Sequence, residues 1–116
     1  MNKVICIGRM TADPELRESN SGTSYIRFSL AVDREGKDKG ADFPNCIIFG
    51  KTAEILNRYG HKGKQIAVEG RLQTGSYDKD GVKVYTTDVV VDRLTLLGSV
   101  EKKEEPKEEF DPYDLF

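Results

Sequence analysis

The side chains that could do chemistry in this chain are mostly rings and cations, set on alternating positions of β-like segments. In Tyr25–Arg34, Ile26, Phe28, Leu30 and Val32 alternate with Tyr25, Arg27, Ser29, Ala31 and Asp33. Arg71 and Gln73 sit on the polar phase of a segment whose other phase is Ile66, Val68, Gly70 and Leu72. Between those segments, Cys46 and Ile48 alternate with Phe43, Asn45, Ile47 and Phe49. If Cys46 and Ile48 face a core, Phe43 and Phe49 lie outside with Arg27, Arg71 and Gln73. Phase alone permits the reverse. Rings interleaved with cations suit a flexible polyanion with flat bases. Each base stacked on a ring contributes about 1–3 kcal/mol, and cations attract its phosphates. Tyr77 and Tyr85 flank Asp80-Gly81; taken by themselves they read as cross-strand packing.

Enzymatic chemistry lacks its parts. Gly50-Lys51-Thr52 resembles the end of a phosphate-binding loop, but that motif's first glycine would fall at Asn45, inside a strand. His61 is the only histidine, and two cysteines beside it do not make a structural zinc site. It reads as an exposed turn residue. No nucleophile with a partner base is visible. The expectation is a binding protein with no cofactor and no metal. Cys6 and Cys46 lie in apolar runs, as small buried hydrophobes of a reducing cytosol do.

The elements that must position these residues follow from period and punctuation. Lys3–Met10 is a first strand whose continuous Val4-Ile5-Cys6-Ile7 run hides its faces. Residues 11–22 carry turn chemistry at Asp13-Pro14 and Ser19-Asn20-Ser21-Gly22, with room for a helical turn at Glu15–Arg17. Tyr25–Arg34 is a second strand, Glu35–Ala41 a polar hairpin loop, and Asp42–Phe49 a third strand. Lys51–Tyr59 carries helix formers, pairing Ala53 with Leu56 and Ile55 with Tyr59. Arg58 suits the last turn, and Gly60 sits where a left-handed terminal residue is expected. A fourth strand starts at Lys64. Asp80-Gly81 signals a hairpin into a last strand, Lys83–Leu97, with a break in phase near Asp88. The order β-β-β-α-β-β, β-rich with one short helix, predicts a five-stranded oligonucleotide/oligosaccharide-binding (OB) barrel.

Of 116 residues, 1–100 form the expected domain and 101–116 an acidic tail. The tail holds seven acids against three lysines, a net of −4; the whole chain is −2, so the body is +2. There is no apolar run long enough for a membrane span and no signal peptide, so a cytoplasmic protein is expected. Glu101–Glu109 is too charged to fold and reads as a disordered tether.

Several blocks resemble the bacterial and phage single-stranded-DNA-binding proteins, in collinear order over about residues 1–98. They are Asn2-Lys3-Val4-Ile5 with Gly8-Arg9, Asp13-Pro14-Glu15-Leu16-Arg17, Phe28-Ser29-Leu30-Ala31, Phe49-Gly50-Lys51-Thr52-Ala53-Glu54, Lys62-Gly63, Val68-Glu69-Gly70-Arg71-Leu72-Gln73-Thr74 and Tyr85-Thr86-Thr87. The resemblance implies an OB barrel, a homotetramer, and single-stranded DNA bound with little sequence preference in replication, recombination and repair, in a bacterial cell or a phage's host. By position, Phe43, Phe49 and Tyr77 match the family's base-stacking rings, which favours Phe43 and Phe49 outward. Arg9, Arg27, Lys51, Arg71 and Gln73 fall on the same implied surface, and Tyr85 is counted with them. The chain departs from the family in having no tryptophan, a short loop after the second strand without an aromatic, and a very short linker before the tail.

The tail ends Asp111-Pro112-Tyr113-Asp114-Leu115-Phe116. A tail that only solubilised would gain nothing from two apolar residues at its tip. Such a tip suits a pocket for the Phe116 ring with cations for the acids and the terminal carboxylate. The expected role is docking to DNA replication, recombination and repair proteins. The family's tip usually has a proline between its last two apolar residues; Leu115-Phe116 does not. Two other readings stay open: an RNA-reading or replication-restart module, and a pure interaction protein whose barrel is scaffold. Competition by RNA, and DNA binding by the body without its tail, separate them.

Overall fold

The computed structural model describes residues 1–36 and 40–98. In chain order these form β1 (Val4–Met10), β2 (Arg17–Glu18), β3 (Ser24–Asp33), β4 (Ala41–Asp42), β5 (Asn45–Phe49), α1 (Gly50–Tyr59), β6 (Gln65–Lys79) and β7 (Val82–Leu96). Five long strands pair in the order β1-β6-β7-β5-β3, and β3 returns to β1 through Arg9↔Ala31 and Met10↔Leu30. The ring closes, as an OB barrel must, with β5–β7 its one parallel seam among the described pairings. The two-residue strands β2 and β4 are attachments to β3.

Alternation fills the barrel. Ile26 and Leu30 of β3, Cys46 and Ile48 of β5, Ile66 and Val68 of β6, and Val89 and Val91 of β7 form the core with Met10, Ala53 and Leu56. The continuous apolar run of β1 resolves into faces: Val4 and Cys6 pack on the core, while Ile5 and Ile7 stay 63% and 52% exposed. The seam closes at Gly8, where a Cβ would stand 2.5 Å from the Ala31 carbonyl oxygen. Asn2 prolongs the β1–β6 edge with its side chain. Its Nδ2 donates to the Leu72 carbonyl, and its Oδ1 accepts from the Leu72 N–H, both at 2.8 Å.

Several expectations need correction. Glu15–Arg17 holds no helical turn; Arg17 and Glu18 pair with Tyr25 and Ser24, closed by a tight turn at Ser19–Thr23. The third strand is two pieces, because Pro44 has no N–H to give a ladder. On α1 the buried residues are Ala53, Leu56 and Tyr59, while Ile55 remains exposed. Gly60 is not left-handed: its φ is −86° and ψ 155°. A Cβ there would come within 2.7 Å of the Leu56 carbonyl oxygen, so close packing requires the glycine. The positive φ falls at the other end of the helix, on Gly50 at 69°. The phase break in β7 falls at Asp92, not near Asp88. Glu69 pairs with Arg93 but Gly70 with Val91, which leaves Asp92 as the extra residue. Leu72 keeps the inward phase yet is exposed, because from Arg71 to Lys79 every β6 residue is exposed. The β6–β7 hairpin therefore continues beyond the barrel as a ribbon. Its Asp80-Gly81 turn takes φ 52° and 80°, as a two-residue hairpin demands.

Candidate nucleic-acid interface

Register places the outward side chains in rows across the strands. Tyr25 lies opposite Phe49, and their ring centroids are 6.3 Å apart. The next row is Arg27–Ile47–Val90–Arg71, running through β3, β5, β7 and β6. Ile47 is 8% exposed although it faces outward, so this row is an apolar floor with a guanidinium at each end. The row after that is Ser29–Asn45–Asp88–Gln73, polar throughout. Successive rows lie about 7 Å apart, and one row spans about 14 Å over four strands.

The phase of β5 is settled by burial: Cys46 and Ile48 are 1% and 0% exposed, Phe43 and Phe49 61% and 45%. Arg27 reaches Asp88 at 3.8 Å, too far for a hydrogen bond, so both keep most of their bonding capacity. Arg71 Nη1 donates to Gln73 Oε1 at 3.0 Å. Arg9 lies beyond the rows beside Ala31, four residues along β3 from Arg27, and donates to the Gly63 carbonyl at 2.9 Å. Lys51 occupies the first turn of α1, two residues after Phe49, with no acid in that turn. It has no ion pair among the described residues. A cation at the positive end of a helix opposes the macrodipole, so Lys51 does nothing to stabilise α1.

Tyr77 and Tyr85 are 53% and 76% exposed. Tyr77 pairs with Val84 and Tyr85 with Ser76, so the two rings leave the ribbon on opposite faces and do not pack across it. Tyr77 shares the face of Arg71 and Gln73. Residues Tyr77 and Tyr85 both line one cleft, with Ser29, Asn45, Thr86 and Asp88 among its walls, and Tyr77 is the one on the Gln73 and Asp88 face. Reading the sequence missed Ile47, Val90, Asn45 and Asp88, because only pairing shows that the first two lie between the arginines and the other two in the row beside them. Asp13 was also missed: its carboxylate accepts from the Lys62 N–H at 2.8 Å and anchors the 61–64 turn. His61 in that turn is half-buried rather than exposed. Asp111, Pro112, Tyr113, Asp114, Leu115 and Phe116 lie outside the described residues.

The cysteines belong to the interior. Burial raises the Cys46 thiol to about 12, helped by Cys6 and by the Asp88 charge, and burial also raises Cys6. Among the described residues no helix is long and apolar enough to cross a membrane.

Known proteins resemble this chain closely. Residues 1–97 match the family model described as the single-strand binding protein family. A "Single-stranded DNA-binding protein" of Clostridium perfringens is 54% identical over 101 residues, covering 85% of this chain and 67% of that protein. One from Fusobacterium nucleatum is 48% identical over 81% of this chain and 65% of its own length. One from Lactiplantibacillus plantarum is 41% identical over 85% of this chain and 52% of its own. The chain thus spans about half to two thirds of these relatives. In fold it resembles a structure titled "Plasmodium falciparum SSB complex with ssDNA", with TM-score 0.76 and 23% identity over 84% of this chain and 96% of that one. With a closed OB barrel and a family match over nearly all the described residues, the chain belongs to the single-strand binding protein family.

Proposed function

We propose that this chain binds single-stranded DNA with little sequence preference and protects it during replication, recombination and repair. The observation that carries the reading is the Arg27–Ile47–Val90–Arg71 row beside the Tyr25–Phe49 rings. Guanidiniums take phosphates, while the floor and rings take bases. Phe43, Phe49, Tyr77 and Tyr85 are the stacking residues of this reading, and Arg9, Arg27, Lys51, Arg71 and Gln73 its polar contacts. The names of its bacterial relatives support the ligand. Residues 1–100 are the binding domain, and 101–116 the tail whose tip recruits other DNA-processing proteins. The outward Ile5 and Ile7 on β1 are apolar area that copies of the chain would cover in a homotetramer. The protein acts in the cytoplasm of a bacterium or of a phage's host.

Titration of dT homopolymer against duplex DNA and RNA at several salt concentrations tests this reading. The homopolymer should bind tightest, with affinity falling as salt rises. Equal affinity for duplex, or no dependence on salt, refutes it.

A further inference from the structure

A carboxylate is out of place on a surface that meets a polyanion, yet Asp88 lies in the middle of this one. Its side chain is only 22% exposed, and its ion-pair partner, Arg27, stands 3.8 Å away. Asn45 lies beside it, one step before the Cys46↔Val89 pair, and Gln73 lies opposite. Neither Asp88 nor Asn45 has a side-chain hydrogen bond among the described residues. Both line the cleft that Tyr77 and Tyr85 border. The cleft therefore offers the Tyr77 ring for a base, one strong acceptor on the same face, and beside it an amide that donates or accepts.

We infer that Asp88 and Asn45 form a base-edge subsite that takes a nucleobase whose Watson–Crick edge sets an exocyclic amine beside a bare ring nitrogen, cytosine or adenine, in preference to thymine. The inference rests on single-stranded DNA being the ligand of this face. DNA seated on the rows covers Asp88, and a covered carboxylate needs donors. The loose Arg27 contact satisfies it only in part. An exocyclic amine supplies the missing donor, as cytosine N4 does for acidic side chains elsewhere, and Asn45 can donate to the adjacent ring nitrogen. In the same pose thymine sets its O4 carbonyl oxygen against the Asp88 carboxylate and its N3–H against the donating amide of Asn45, so acceptor meets acceptor and donor meets donor. The arginine row about 7 Å away holds the phosphates, so backbone contacts position the strand while the polar row reads base edges. The preference is a few-fold modulation on binding that stays tolerant of sequence.

The test is a fluorescence titration of wild type, Asp88→Asn and Asn45→Ala with dC and dT oligomers of equal length, at one salt concentration and pH 8. Circular dichroism and thermal melts establish that each variant is folded. Asp88→Asn should lower the dC:dT affinity ratio at least threefold. Asn45→Ala, at an exposed position, should lower it in the same direction. If both oligomers tighten by one common factor in Asp88→Asn, the carboxylate only repels the backbone and the inference is overturned. An unchanged ratio in both variants overturns it as well. If wild type binds neither oligomer, the DNA-binding reading itself fails and the subsite falls with it. Wild-type binding with an unaltered ratio removes the subsite alone.

Discussion

Phe49 and Ile48 are neighbours in one strand with opposite duties. Ile48 is 0% exposed and Phe49 45%. Phe49→Ala should weaken single-stranded DNA binding by about 1–3 kcal/mol while leaving the melting temperature near that of wild type. Ile48→Ala should instead cost about 2–5 kcal/mol of stability. Titration and urea denaturation of both variants separate the two losses. Cys46, two residues before Ile48, is chemically quiet for the same reason of burial. The thiolate is the nucleophile, and a thiol raised to about 12 supplies almost none at pH 8. Mass spectrometry after iodoacetamide should show Cys46 unmodified in the native protein and modified in guanidinium. The raised value also sets a sign. Below about pH 9 the thiol is protonated in both states; from there towards 12 only the unfolded chain ionises, so stability falls as pH rises.

At the scale of elements, glycines divide between conformation and contact. Gly50 has φ 69° and nothing within 4 Å of a built Cβ. Gly50→Ala should therefore cost only the left-handed penalty of about 1–2 kcal/mol. Gly70 has an ordinary φ, but a Cβ there would lie 2.0 Å from the Val90 carbonyl oxygen, beside the Asp92 bulge. Gly70→Ala must force β6 and β7 apart and should destabilise far more than Gly50→Ala, measured by urea midpoints of the two variants. The same bulge switches the inward phase of β7 from Val89 and Val91 to Leu94 and Leu96. It keeps both halves of the barrel part of β7 packed on the core.

At the scale of the molecule, charge is arranged more than accumulated. A body of +2 is weakly basic, so attraction to DNA depends on where Arg27, Arg71 and Lys51 stand. Three neutralised phosphates predict a slope of log affinity against log salt of roughly −2 per protomer. Loss of residues 111–116 should abolish pull-down of helicases, nucleases or recombination mediators and leave DNA affinity unchanged or slightly higher. Retained partners with lost DNA binding would reverse the roles assigned to body and tail. Ile7→Glu puts a charge on the exposed apolar face of β1 and, if copies assemble through that face, should lower the mass seen by sedimentation below that of wild type.

What the residues determined by themselves was local. Alternation in β3 and β6, the Asp80-Gly81 turn and one helix among strands are all encoded within a few neighbours, and together they imply the barrel. The stacking phase of β5 was not local, because Phe43, Ile47 and Phe49 are as apolar as Cys46 and Ile48. Only packing could choose which set faces Leu56 and Ile66 in the core. The chain's own pattern likewise could not show the reason for Gly60, which lies in the approach of Leu56 and Met10. The two rows across β3, β5, β7 and β6 are furthest from the sequence. Arg27 and Arg71 are 44 positions apart in the chain, and register alone makes them the ends of one floor with Asp88 beside it. Register is a property of closed pairing, and no stretch of sequence contains it.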